Sequence, residues 1–226
     1  MNLQVCIPYQ KCPFGCPMCI ASNPKHYTNL FKANQAAYLG GLGAAMSGHK
    51  YKDVVLTGDT DPTLNTDWLK QVTRFLTLLN FKYKVGIEIQ THNYSWKGLN
   101  GIIVNAFSVT TLKDAARIPS IRTRTDINRL VVLGTKELLR YFMENDVDLS
   151  EFKQLTLKAL QHTASKVGTV DDYIDSVSCE EALLQQAAVK FKKLGLQVKI
   201  DLNCQDATGR YAIFREDGRL YNSWEE

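Results

Sequence analysis

The sequence predicts an α/β fold on a parallel sheet, either an open partial barrel or a doubly wound sheet, and three observations carry that expectation. Short apolar runs recur along the chain with turn residues beside them. Helical patterns fall between most of these runs, so successive strands are joined by right-handed crossovers and pair in parallel. The 226 residues hold about six such units, too few for a complete eight-stranded barrel but enough interior for one domain.

The strands are expected at LQVCIPY (3–9), KDVVLTG (52–58), VGIEIQT (85–91), GIIVNAFSV (101–109), INRLVVLG (127–134), QLTLKAL (154–160) and LQVKIDLN (196–203). The clearest helix lies in TDWLKQVTRFLTLLN, where Leu69, Val72, Phe75, Leu76 and Leu79 return to one face. A second follows SCEE: Ser178 and Glu181 have capping-box spacing, Leu184, Ala187, Ala188, Phe191 and Leu194 form the stripe, and Gly195 is the stop. Between the third and fourth strands HNYSWKGLN is too short for a good helix. The tail, YAIFREDGRLYNSWEE, reads as a hairpin turning at EDGR, with Tyr211, Phe214, Tyr221 and Trp224 as aromatic bulk. The expected division is therefore a partial barrel over residues 1–203 and a hairpin extension over 204–226. The extension would either close a sheet edge or cover the open side of the barrel.

Hydrophobic residues at 45% and charged residues at 22% are ordinary globular values. The amino terminus lacks an apolar signal core and no apolar run approaches a membrane span, so a cytoplasmic protein with no membrane partner is expected. A net charge of +4 permits a phosphate-bearing substrate but falls short of the clustered footprint of a nucleic-acid binder. Six cysteines in such a chain argue for metal binding or catalysis over a disulfide framework.

Three of those cysteines stand within CPFGCPMC, while Cys6, Cys179 and Cys204 are isolated. A structural zinc site takes four ligands, for which His26 is near enough in sequence to be imagined as the fourth. An iron–sulfur cubane also normally takes four thiolates, and one held by three keeps an open iron. Pro13 and Pro17 discourage helix here and Gly15 allows unusual backbone angles, so the loop suits wrapping around an object. The motif directly follows the first strand, at the carboxyl end where such folds keep their chemistry.

With this cysteine spacing at this position, the sequence resembles the radical S-adenosylmethionine (radical SAM) enzymes, whose fold is a partial (β/α)6 barrel. The resemblance spans most of the chain. It implies that Cys12, Cys16 and Cys19 bind a [4Fe-4S] cluster whose open iron chelates SAM, with Met18 standing where the family usually has an aromatic residue beside adenine. LTGDTDPTLN, after the second strand, corresponds to the family's glycine- and glutamate-containing element for the SAM ammonium, and offers Gly58, Asp59, Thr60 and Asp61. The alternative for this segment is an acidic turn capping the next helix. At the ends of the third and fourth strands Thr91, Asn93 and Ser108 are the candidates for the ribose and carboxylate. VVLGTKE resembles the element beside adenine, through Val132, Gly134 and Glu137; a strand-to-helix turn with Thr135 as N-cap is the plainer account.

Other features rank lower. Lys113, Arg117, Arg122, Arg124 and Arg129 form a basic stretch before the fifth strand, of the kind that is usually a solvated face. His26, His49, His92 and His162 lack metal-like spacing, and only His92 falls on the rim. Cys179 is expected at a helix start, as a structural thiol or a donor of a hydrogen atom to a substrate radical. The resemblance implies an oxygen-sensitive enzyme that cleaves SAM to a 5'-deoxyadenosyl radical and abstracts hydrogen from a small molecule, nucleotide or phosphorylated compounds included. It also implies a one-electron donor such as flavodoxin or ferredoxin. Alternatives are a glycyl-radical-enzyme activase, a peptide-modifying radical SAM enzyme, or a non-catalytic metal-binding module.

Overall fold

Nine strands form among the described residues: β1 (Asn2–Cys6), β2 (Asp53–Thr57), β3 (Gly86–Thr91), β4 (Ala106–Val109), β5 (Arg129–Gly134), β6 (Gln154–Ala159), β7 (Gln197–Asp201), β8 (Tyr211–Phe214) and β9 (Leu220–Tyr221). The computed structural model describes residues 1–16, 27–58, 60–84, 86–93, 104–121, 127–160, 168–202 and 211–222. The chain divides into two compact units, one of residues 1–13, 20–102 and 206–226, the other of residues 14–19 and 103–205. The fold is α/β with mostly parallel strands, and in neither unit does the described sheet close into a barrel. All seven runs expected as strands contain one.

In the first unit the strand order is β3-β2-β1-β8-β9, parallel throughout except for the β8–β9 hairpin. Leu3, Val5, Val54 and Leu56 are fully buried, and the register sets Leu3 beside Val54 and Val5 beside Leu56. Among the described residues this unit has the helices α1 (Leu30–Ala33), α2 (Gln35–Gly48) and α3 (Thr66–Tyr83). On α3 the expected stripe holds for the buried Leu69, Val72 and Leu76, joined by Trp68, while Phe75 and Leu79 are half-buried. The Asn65 side chain caps this helix by accepting from Trp68 N at 3.1 Å.

Helix α2 carries Gly40, Gly41, Gly43 and Gly48, a composition that disfavours helix. Tertiary packing overrides that cost: Tyr38, Leu42 and Met46, spaced by four, are buried. A Cβ on Gly41 would lie 2.9 Å from the Gly218 carbonyl oxygen, so the missing side chain lets the helix approach the β8–β9 turn. Tyr38 packs edge-on to Phe214, 5.1 Å between ring centres.

The carboxyl-terminal hairpin forms, and β8 is a full member of this sheet. It runs parallel to β1 with Leu3 beside Ala212 and Val5 beside Phe214, so it extends the sheet at β1. Ala212, Ile213 and Phe214 are buried.

In the second unit the order is β7-β6-β5-β4, all parallel. Its helices are α4 (Leu112–Ala115), α5 (Ile118–Ile121), α6 (Lys136–Glu144), α7 (Gly168–Val177) and α8 (Glu181–Lys193). Leu184, Ala187, Ala188 and Phe191 of α8 are buried as the stripe predicts. Lys190 Nζ donates to the carbonyl oxygens of Phe142 at 2.8 Å and Met143 at 3.0 Å, placing a cation at the negative end of α6.

Two expectations for α8 are corrected. No side chain caps its start; the preceding residue is Glu180, and Ser178 instead forms an isolated bridge with Thr135 after β5. Leu194 is 54% exposed because the helix has already ended there, with Gly195 at φ +86° making the stop. The segment 94–103, which includes most of HNYSWKGLN, and Arg122 and Arg124 lie outside the described residues.

Candidate functional site

Each unit, taken by itself, brings candidate residues to the carboxyl ends of its strands. In the first unit the chain leaves β2 at Gly58, whose φ of +137° is a conformation that L side chains rarely adopt. A Cβ there would meet Ile7 N at 3.0 Å and Cys6 Cα at 3.3 Å. The glycine thus permits the turn and its close seat against the end of β1, where Ile7 N donates to Thr57 O at 2.8 Å.

Asp61 is the hub of this turn. Its Oδ1 accepts from Thr63 N at 2.9 Å and Thr63 Oγ1 at 2.6 Å, and its Oδ2 accepts from His92 N at 2.7 Å. The Thr91 hydroxyl lies 2.8 Å from both oxygens. The carboxylate therefore caps the 3-10 turn Pro62–Leu64 and fastens it to the end of β3. Asn93 completes the cluster, donating from its backbone to Thr91 Oγ1 at 2.8 Å and from Nδ2 to Thr63 Oγ1 at 3.0 Å.

Thr60 differs from its neighbours. It is 7% exposed, and its Oγ1 has no hydrogen-bond partner among the described residues. A buried hydroxyl left unpaired costs free energy, and such groups mark places where a ligand or water completes the bonding. Beneath the turn, Trp68 Nε1 donates to Tyr38 Oη at 3.2 Å, and that hydroxyl lies 3.5 Å from the Cys6 carbonyl oxygen. Burial pushes the Tyr38 hydroxyl well above the usual tyrosine range.

In the second unit, Ser108 is buried in β4 beside Val131, and Val132 is buried in β5 beside Leu157. A Cβ on Gly134 would come within 2.9 Å of Leu184 Cδ2 and 3.1 Å of the Lys158 carbonyl oxygen. The bare backbone at this position is thus required for packing against α8 and β6. Thr135 is the N-cap of α6, its Oγ1 accepting from Leu138 N at 3.2 Å, as the plainer account of VVLGTKE expects. Cys179 reaches the same strand end: its N donates to the Gly134 carbonyl oxygen at 3.4 Å. Burial, the largest influence, pushes its thiol pKa up against the lowering effects of its backbone hydrogen bond and of Lys136.

Cys12 and Cys16 are half-buried and neither is in a disulfide, and Gly15, between them in sequence, has φ +58°. Thiolates are the ligands that iron–sulfur clusters take, so each of these side chains has the chemistry such a cluster needs. Cys19 and Met18, like Asp59, lie outside the described residues, and among those described no three ligating side chains gather as a metal group.

Three residues went unnoticed in the sequence. Thr110, just after β4, places its hydroxyl 3.8 Å from Cys16 Sγ. The signal for it was TTLKD, a capping-box pattern in which Thr111 and Asp114 bond reciprocally. Arg215 and Glu216, at the end of β8, are 2% and 3% exposed. The Arg215 guanidinium lies 4.5 Å from the centre of the Tyr27 ring, and the Glu216 carbonyl oxygen accepts from Leu30 N at 2.8 Å. A charged pair inside the turn signal FREDGR reads as exposed, so no sequence pattern marked this one.

No family model matches the chain, and no curated protein matches it either.

Proposed function

We propose that the chain is a radical SAM enzyme on a partial (β/α)6 barrel, with Cys12, Cys16 and Cys19 holding one [4Fe-4S] cluster and SAM as the second cofactor. One observation carries the reading: the C-x3-C-x2-C run lies in the segment that follows β1 of a mostly parallel α/β fold, and Cys12 and Cys16 are half-buried thiols not engaged in a disulfide. When bound, the pair supplies one-electron cleavage of the sulfonium and hydrogen abstraction from an unreactive carbon.

The chain's own part is to bind, orient and exclude water. In the first unit Gly58 gives backbone access, and the Thr60 hydroxyl, lacking a partner, receives a polar group of the cofactor. Asp59 is the carboxylate left for the SAM ammonium, because Asp61 is already bonded through both oxygens and serves by holding the turn. Thr91 and Asn93 are tied into the same cluster and fix its shape. In the second unit Ser108, Val132 and Gly134 supply the adenosine contacts. Burial pushes the Cys179 thiol pKa up, which favours the S–H form that a hydrogen-atom donor needs. The substrate is a small molecule, electrons come from a flavodoxin- or ferredoxin-like donor, and the enzyme works in the cytoplasm. No helix among the described residues is long and apolar enough to cross a membrane.

Anaerobic reconstitution with iron and sulfide tests this reading. About four irons and four sulfides per chain are expected, with an electron paramagnetic resonance signal that changes when SAM is added. Cys16→Ala should lose the cluster. Tight zinc binding with no cluster, or a cluster indifferent to SAM, would reject the proposal in favour of a structural metal module.

A further inference from the structure

We propose that Thr110 is a positioning residue for Cys16, donating an O–H···S hydrogen bond that raises the reduction potential of the cluster Cys16 ligates. The inference rests on the cluster reading above. Its geometry lies entirely within the second unit, where Thr110 Oγ1 is 3.8 Å from Cys16 Sγ, although the two residues are 94 apart in sequence.

The competing acceptor for that hydroxyl is Asp114. Its Oδ2 lies 2.9 Å from Thr110 N, 2.9 Å from Thr111 N, 3.0 Å from Thr111 Oγ1 and 2.9 Å from Thr110 Oγ1. One carboxylate oxygen offers two lone pairs, and two backbone amides already converge on it. Amides have fixed directions, whereas a hydroxyl rotates freely. Thr111 is further committed to the capping box, its Oγ1 accepting from Asp114 N at 3.2 Å. With two amides already on Asp114 Oδ2, the Thr110 hydroxyl, 2.9 Å from that oxygen and 3.8 Å from Cys16 Sγ, is free to rotate to the sulfur once the sulfur carries the charge of a ligating thiolate. The two amide bonds to Asp114 meanwhile hold the Thr110 backbone rigidly, so the hydroxyl is presented rather than left to wander.

A hydrogen bond to a ligating thiolate withdraws charge from the sulfur and favours the more negative, reduced form of the cluster. The equilibrium concerned is a one-electron reduction, with the electron supplied by a low-potential donor protein or, in the assay, by dithionite. No bond breaks and no proton is required.

The experiment is a redox titration of the reconstituted full-length chain, followed by electron paramagnetic resonance, for the parent and for Thr110→Val, Thr110→Ala and Thr110→Ser. Val and Ala should disfavour reduction about tenfold, a shift of about 59 mV to lower potential, and Ser should restore the parent value. Should Val fail to fold, the Ala and Ser pair makes the same comparison. A parent cluster with potentials unchanged in Val and Ala overturns the role of Thr110 and leaves the cluster reading standing. A parent chain that takes up no cluster overturns both.

Discussion

Replacing Asp61 by alanine should destabilise the first unit by about 3–5 kcal/mol in the absence of any cofactor. The residue is 5% exposed and accepts from two backbone amides and two hydroxyls. A hydrogen bond to a charged group contributes about 1.5–3 kcal/mol, and stranding a buried donor costs about 1–3 kcal/mol. Water can replace the carboxylate at His92, which is half-buried, but reaches Thr63 and the fully buried Thr91 far less easily. Part of the Thr91 loss is recovered because its hydroxyl can turn to Thr63 Oγ1, 3.3 Å away. Two poorly compensated donors therefore set the estimate. Asp61→Asn should cost less, about 2 kcal/mol, since one oxygen remains for Thr63 while the amide nitrogen faces the His92 donor. Equilibrium urea unfolding measures both. Combining Asp61→Ala with Thr91→Val should show a coupling of about 1 kcal/mol. Thr60→Val removes an unpaired buried hydroxyl and should be neutral or stabilising without cofactor. An Asp61→Ala chain within about 1 kcal/mol of the parent would refute the capping account and return Asp61 to the list of free carboxylates.

Gly134→Ala should cost about 1–3 kcal/mol without ligand, through overpacking against Leu184 and the Lys158 carbonyl; a variant as stable as the parent that binds SAM poorly would show the glycine serves the cofactor instead. Tyr221 donates to the Asp217 carboxylate at 2.6 Å, and that bond, with a smaller effect of burial, pushes its pKa up to about 12. Its contribution to stability is full below the ordinary tyrosine value of about 10 and is lost as pH rises towards about 12, so Tyr221→Phe should lower stability at neutral pH and converge with the parent in strong alkali. Equal stability at both pH values would remove this bond from the account. A chain ending at residue 203 should fail to fold: it loses β8 from beside β1 and the burial of Ile213 and Phe214, about 1.5–3 kcal/mol each. A soluble truncated chain with native circular dichroism would show that the first sheet does not need β8.

The strands were legible because each is a short apolar run bounded by turn residues, and parallel pairing follows from the helices between them. Helix α2 was not legible. Its glycines obey neighbours distant in sequence, Gly218 for Gly41 and the Phe75 ring, 3.3 Å from a Cβ on Gly43, so local propensity points the wrong way. The Ser178 capping box failed for a similar reason, a bridge to Thr135 having claimed the residue.

At the candidate site, residue type was legible and role was not. LTGDTDPTLN announced carboxylates at the end of β2, but only the bonds from Thr91 and His92 reveal that Asp61 is spent on structure. The opposite holds for Thr60, the plainest residue of the segment, whose buried hydroxyl is the group left without a protein partner among the described residues of that turn. A free carboxylate and a committed one look alike in a sequence, because the difference lies in donors about 30 residues away. The same logic separates Thr110 from Thr111. Thr111 at the N-cap is consumed by the capping box, whereas the Thr110 hydroxyl lies within reach of both Asp114 Oδ2, at 2.9 Å, and Cys16 Sγ, at 3.8 Å. Within this fold, the residues with bonding capacity to spare at strand ends are the ones to test for function, and those with the strongest motif character are often the ones already holding the turn in place.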